Sequence, residues 1–170
     1  MDATPRPFIS AVFLAYRTPV VGTRFVDGRV RKAGPEGVVR DSLRLTTGDP
    51  DSIDPRLVRE LVEVTRFRTG LDWATQAYLD AARSIFQAEA RPKAYRRLVA
   101  SISAPALVIH GAKDRLIPVG AAREAVAGHE DWELVVFDNV GHLPMIEAPD
   151  RWLETVEAWL RSFEADAPTG

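Results

Sequence analysis

Cysteine is absent from the 170 residues, which removes disulfides, thiolate metal sites and cysteine nucleophiles from consideration. Histidine is scarce: the 3 present, His110, His129 and His142, are scattered without the spacing of zinc ligands, so no metal is expected. No apolar run approaches the ~20 residues that a membrane-spanning helix needs. The start, Met1 to Ser10, lacks the basic segment and long apolar stretch of a secretory signal. Together these absences lead to the expectation of a cytoplasmic chain with no membrane partner.

What is present is a globular composition, 46% hydrophobic and 27% charged, long enough to bury one sizeable core or one core with a small satellite. The net charge of -2 hides an asymmetry. Residues 1–100 hold 17 Lys+Arg against 12 Asp+Glu, whereas residues 101–170 hold 5 against 12. This step near Ser101 is the first candidate boundary, separating a region 1–100 from a region 101–170. The basic stretch Arg24 to Lys32 has little aromatic interleaving beyond Phe25 and sits in an acidic chain, so it reads as solvated and no nucleic-acid partner is expected.

The first region reads as helical. Phe8 to Tyr16, nearly all apolar, is expected as a buried helix, and Gly22 to Gly37, rich in glycine and lacking sustained periodicity, as a mobile loop or short turns. Asp54-Pro55 is a helix start, a side-chain cap followed by a residue pre-set for the first turn, with Leu57, Leu61 and Val64 on one face. Further helices are expected over Asp72 to Ala90, where Trp73, Ala77, Ala81 and Ile85 are spaced by four, and over Tyr95 to Ile102. The aromatic residues Phe8, Phe13, Tyr16 and Trp73 read either as core or as the lining of an apolar pocket.

After Pro105 the pattern changes. Ala106 to His110 and Glu133 to Phe137 are β-type runs, Pro118 to Ala127 between them is a helix, and a final amphipathic helix begins at Pro149 with Trp152, Val156, Trp159 or Leu160, and Phe163 inward. Strand, helix and strand of these lengths form a βαβ unit with parallel strands. Both strands end in loops with ionisable residues, and the carboxyl ends of parallel strands are where catalytic groups gather. Neighbouring strands lie ~4.8 Å apart, so the loops can bring Asp114 and His142 into hydrogen-bond range. A carboxylate on one imidazole nitrogen fixes the tautomer and leaves the other nitrogen free as a base. The alternative for Asp114 is a cap on the helix near Pro118, and for His142 a surface loop position. His110 reads as a packed or hydrogen-bonded neighbour of this pair, His129 as solvent-facing, and Glu147 as a structural hydrogen-bonding group.

Residues 103–163 resemble the C-terminal part of an α/β-hydrolase. Gly111-x-x-Asp114-x-x-x-Pro118 follows one strand, Gly141-His142-x-x-x-x-Glu147-x-Pro149 follows the next, and a closing helix completes the order. The resemblance implies an α/β class, a partial α/β-hydrolase fold with a helical cap-like segment followed by a βαβα unit. It assigns Asp114 as triad acid and His142 as general base, and region 1–100 as the cap. The family's nucleophile stands in a Gly-x-Ser-x-Gly turn. No two glycines here are four apart, and the 7 serines, Ser10, Ser42, Ser52, Ser84, Ser101, Ser103 and Ser162, all lie outside such a turn.

The chain is therefore expected to be silent alone and, if complemented, to act on a small, apolar, ester-like molecule without a cofactor. A strand with one neighbour leaves a bare edge, so self-association or pairing through that edge is expected. A non-catalytic interaction module, or the remnant of a truncated hydrolase gene, is the competing reading.

Overall fold

The computed structural model describes Tyr16 and residues 18–165. The expected helix Phe8 to Tyr16 lies outside these, Tyr16 excepted. Internal contacts divide the chain into two compact units, one running up to Leu45 and including Ile53–Ser101, the other combining Thr46–Ser52 with the chain from Ile102 onward. The seam after Ser101 coincides with the step in charge. Thr46–Ser52, read from sequence as part of the first region, belongs instead with the second.

The first unit is helical. α1 runs over Pro19–Thr46 and breaks at Gly34, whose φ of 65° lies in the left-handed region that glycine adopts without cost. Pro35 then opens a second helical stretch, where its missing N–H has no bond to lose. The expected loop over Gly22 to Gly37 is therefore a helix with one break. Glycine costs only about 1 kcal/mol per helical position, which packing recovers: Val39 and Leu43, four apart, are both buried.

α2 spans Pro55–Thr69, and the Asp54 side chain accepts the Arg56 N–H at 2.7 Å, the cap expected from sequence. Leu57 and Leu61 are half-buried, but Val64 is 45% exposed. α3 spans Ala74–Glu89 and α4 Pro92–Ala100, the latter beginning three residues before its expected start because Pro92 occupies the first turn. On α3 the four-spaced series is exposed, with Trp73 at its head 64% exposed, while Leu79 is fully buried. Periodicity located the helix and not its covered side.

Tyr16 anchors this unit. Its ring meets Phe25 and Tyr78 edge-on, and its main-chain carbonyl accepts a hydrogen bond from Arg83. Thr75 donates to Asp27 at 2.8 Å, fastening the start of α3 to α1. A cavity of about 510 Å³ opens among these helices, lined mainly by apolar side chains including Tyr16, Val26, Val30, Trp73 and Tyr78. Of the four aromatics that the sequence left open between core and pocket lining, Tyr16 and Trp73 line the cavity, and Phe8 and Phe13 lie outside the described residues.

The second unit is the βαβ arrangement expected from sequence. β1 (Ala106–Gly111) and β2 (Trp132–Phe137) pair in parallel, from Ala106 opposite Trp132 to Gly111 opposite Phe137. α5 (Val119–Val126) connects them, a short turn of helix α6 (Pro144–Glu147) follows, and α7 (Pro149–Ala165) closes the unit. Phe137 is fully buried, worth about 1.5–3 kcal/mol by area alone, and the Arg151 guanidinium lies 4.0 Å from its ring centre. Trp152, Val156 and Trp159 form the half-covered face of α7, while Leu160 is exposed. His129, expected to face solvent, is half-buried and stacks on Trp132 at 3.9 Å between ring centres. Among the described residues the sheet has these two strands, and no helix is long and apolar enough to cross a membrane.

Candidate active site

Asp114 sits in the loop leaving β1. Its N–H donates to the Gly111 carbonyl at 3.2 Å, closing a tight turn, and its side chain is only 4% exposed. One carboxylate oxygen, Oδ1, accepts the N–H groups of Leu116 and Ile117 at 2.8 and 3.0 Å. Both donors precede α5, which begins at Val119, so the carboxylate braces its own loop and does not cap that helix. Oδ1 caps the loop, and the capping bonds fix the carboxylate so that Oδ2 is aimed at His142 Nδ1, 2.8 Å away.

His142 sits after β2. Asn139, at φ 64°, supplies the left-handed residue that turns the chain, a conformation asparagine tolerates better than most. Gly141 follows with no room for a side chain, since a Cβ there would meet the Thr46 carbonyl at 2.6 Å and the Gly48 nitrogen at 2.7 Å. The two site loops are tied together by main-chain bonds: Ala112 N–H donates to the Phe137 carbonyl at 2.9 Å and Lys113 N–H to the Val140 carbonyl at 2.8 Å.

Sequence reasoning gave Glu147 a structural role and missed its reach. Its Oε1 accepts the Gly141 N–H at 2.8 Å and its Oε2 the Gly48 N–H at 2.6 Å, while His142 N–H donates to the Thr46 carbonyl at 2.6 Å. A strap from Thr46 to Gly48 is thereby laid along the histidine loop and clamped by one carboxylate. Only Gly48 marks the strap in the sequence, because the remaining contacts are made by main chain and carry no residue signature.

The result is a carboxylate almost shut off from solvent, hydrogen-bonded to an imidazole that is 32% exposed. With Nδ1–H donated to an ionised Asp114, His142 Nε2 is left unprotonated and available to take a proton. Among the described residues no group of three or more His, Asp or Glu is arranged to hold a metal ion.

Parallel strands carrying an acid after the first and a histidine after the second define part of an α/β-hydrolase core, and comparison with known proteins agrees. Residues 3–155 match the alpha/beta hydrolase family. The chain belongs to that family. Over 61 residues it is 38% identical to AB hydrolase superfamily protein YisY of Bacillus subtilis (strain 168), a stretch that is 36% of this chain and 23% of YisY. The structure resembles Lip1 of Acinetobacter baumannii AYE, with a TM-score of 0.63 at 20% identity over 92% of this chain and 58% of that one. It also resembles a thermophilic esterase of Thermogutta terrifontis, with a TM-score of 0.61 at 22% identity over 94% and 53%. A third similar structure is the 2-hydroxy-6-oxo-6-phenylhexa-2,4-dienoate hydrolase of Rhodococcus sp. strain RHA1, with a TM-score of 0.59 at 19% identity over 79% and 48%. The chain thus spans about half the length of the solved relatives it matches.

Proposed function

We propose that this chain carries the acid and base of a nucleophile–histidine–acid hydrolase, with the nucleophile supplied by sequence outside these 170 residues. The observation that carries the reading is the 2.8 Å bond between a solvent-shielded Asp114 and a solvent-reachable His142. In this reading His142 Nε2 takes the proton of the attacking hydroxyl and returns it to the leaving group. Asp114 holds the ring in one tautomer and stabilises the imidazolium that forms. Residues up to about 100 act as the cap. The apolar lining of the 510 Å³ cavity matches a small, apolar, ester-like substrate, in keeping with the esterase among the similar structures. No cofactor is required, because hydrolysis by such a triad uses water and the protein's own groups.

The test is hydrolysis of p-nitrophenyl esters by the purified 170-residue chain and by the same chain joined to an upstream segment bearing Gly-x-Ser-x-Gly, found by reading the DNA ahead of the gene. Silence of the first and turnover by the second is the expected result. Active-site-titratable turnover by the chain alone overturns the assignment of the nucleophile to another segment. Absence of turnover in the extended protein overturns the catalytic reading.

A second reading, a non-catalytic interaction module, is favoured by large apolar side chains left exposed, among them Val20, Phe67, Trp73 and Leu98. Asp114→Asn and His142→Ala separate the two, since neither substitution affects the work of an interaction module.

A further inference from the structure

Asp114 Oδ2 is faced by two imidazoles. His142 Nδ1 bonds it at 2.8 Å, and His110 Nε2 lies 3.6 Å from the same oxygen, on a side chain only 12% exposed. That Nε2 is buried and has no hydrogen-bond partner. The ring's other nitrogen, Nδ1, is 2.9 Å from the Gly111 carbonyl oxygen. A carbonyl only accepts, so the hydrogen of a neutral His110 sits on Nδ1 and its Nε2 is bare. A bare nitrogen turned toward a carboxylate oxygen gains nothing, and buried polar atoms without a partner are rare. One proton taken from solvent changes the contact from idle to attractive, because Nε2–H is then a charged donor aimed at an anionic acceptor.

Of the charged groups near this ring, Asp114 is the one in direct line. The strand neighbour of His110 across the sheet is Val136. On the packed helices, Arg123 and Glu124 of α5 and Asp150 and Glu154 of α7 are exposed, the Glu147 carboxylate of α6 is taken by two main-chain N–H groups, and Arg151 lies over Phe137.

We propose that His110 is a positioning residue whose own proton decides how Asp114 divides Oδ2 between two rings. Neutral, His110 leaves Oδ2 to His142. Protonated, it closes on Oδ2, takes a share of the carboxylate and repels a second positive charge on His142, so the two rings titrate as a coupled pair rather than separately. The inference needs the Asp114–His142 bond and does not depend on the hydrolytic reading.

The experiment is a pH titration of the full chain between about pH 5 and 8, the range in which histidine changes charge. It follows the ring nitrogens of His110 and His142 and the Asp114 carboxyl carbon by NMR in the wild type, His110→Phe and His110→Gln. In the wild type, His142 is expected to shift in two steps, one sharing its midpoint with His110, and the Asp114 carbon to move at that same midpoint. In both variants His142 should show a single step, and its Nδ1–H signal should persist to lower pH. A single His142 step in the wild type that the substitutions leave unchanged, or a His110 titration to which Asp114 does not respond, overturns the proposal. A merely structural His110 alters stability and leaves these midpoints in place. If neither variant folds, the wild-type midpoints alone decide.

Discussion

Gly111 and Gly141 pack main chain against main chain: a Cβ at Gly111 would overlap the Gly141 carbonyl oxygen and that of its neighbour Val140. Gly111 ends the first strand and Gly141 precedes His142, so this contact sets the spacing of the two loops that carry Asp114 and His142. Neither carbonyl can retreat freely, since the Val140 oxygen accepts the Lys113 N–H and Gly141 is itself held between Thr46 and Gly48.

Gly111→Ala should therefore be strongly destabilising, by about 3 kcal/mol or more, at the upper end of overpacking costs. Gly120→Ala is the control, because it lies in α5 with nothing within 4 Å of the added methyl, and a helical Gly-to-Ala change typically gains about 0.5–1 kcal/mol. Denaturant midpoints of the two variants should move in opposite directions. Equal midpoints would show that the loops yield.

Glu147 invites a finer test, since Gln keeps its shape and one acceptor oxygen but loses the charge and the second acceptor. One of the two N–H groups, that of Gly48 or of Gly141, is then left without its partner, at a cost of about 1–3 kcal/mol. Glu147→Gln should lower stability by that amount. It should also speed amide exchange at Gly48, Gly141 and His142 while leaving α5 protected. Uniform acceleration throughout the second unit would instead mean that the clamp serves the whole unit and not the loop.

The site was legible where chemistry sits in side chains of fixed spacing. Gly111 ends its strand, Asp114, His142 and Glu147 follow theirs at intervals that mark strand ends, and the run of β-branched and aliphatic residues located both strands to within a residue. The strap was not legible, because Thr46 contributes a carbonyl and Gly48 an N–H, and every residue but proline offers both. The α1 helix was misread for a related reason. Gly22, Gly28, Gly34 and Gly37 signal turns locally, and only Gly34 acts on that signal. At the other three, the burial of Val39 and Leu43 and the contacts of Phe25 and Asp27 outweigh an intrinsic preference of about 1 kcal/mol each. On α3 the four-spaced series was a true helical pattern on a face left open, since burial depends on what packs against a helix.

Alkaline pH should probe the first unit through Tyr16. Burial, and then its hydrogen bond with Tyr78, push the Tyr16 phenol above the ordinary tyrosine value of 10.0. An acid whose folded value exceeds its unfolded one contributes stability while it is neutral. That contribution is full below about pH 10 and is lost as pH rises toward the folded value. Tyrosinate absorbance should accordingly include a late-ionising fraction that Tyr16→Phe removes and Tyr78→Phe shifts to lower pH. If Tyr16→Phe instead removed absorbance from the ordinary tyrosine range near pH 10, the Tyr16 phenol would stand in water.

Asp114→Asn separates the two duties of one carboxylate. The amide oxygen can still accept from Leu116 and Ile117, so the loop keeps its caps and stability should change by less than about 1 kcal/mol. The amide nitrogen, facing His142 Nδ1, donates where the carboxylate accepted. The imidazole must then carry its hydrogen on Nε2, the nitrogen that the base reaction needs bare. In an extended protein that hydrolyses esters, kcat should fall on the order of 10⁴-fold with little change in KM, the loss expected when the tautomer is wrong and the geometry intact. Asp114→Ala should cost about 1 kcal/mol more in stability, because both caps disappear as well. If Asp114→Asn left kcat within a few-fold of the parent, the bond to His142 would be structural, and the catalytic acid would have to be sought elsewhere in the protein.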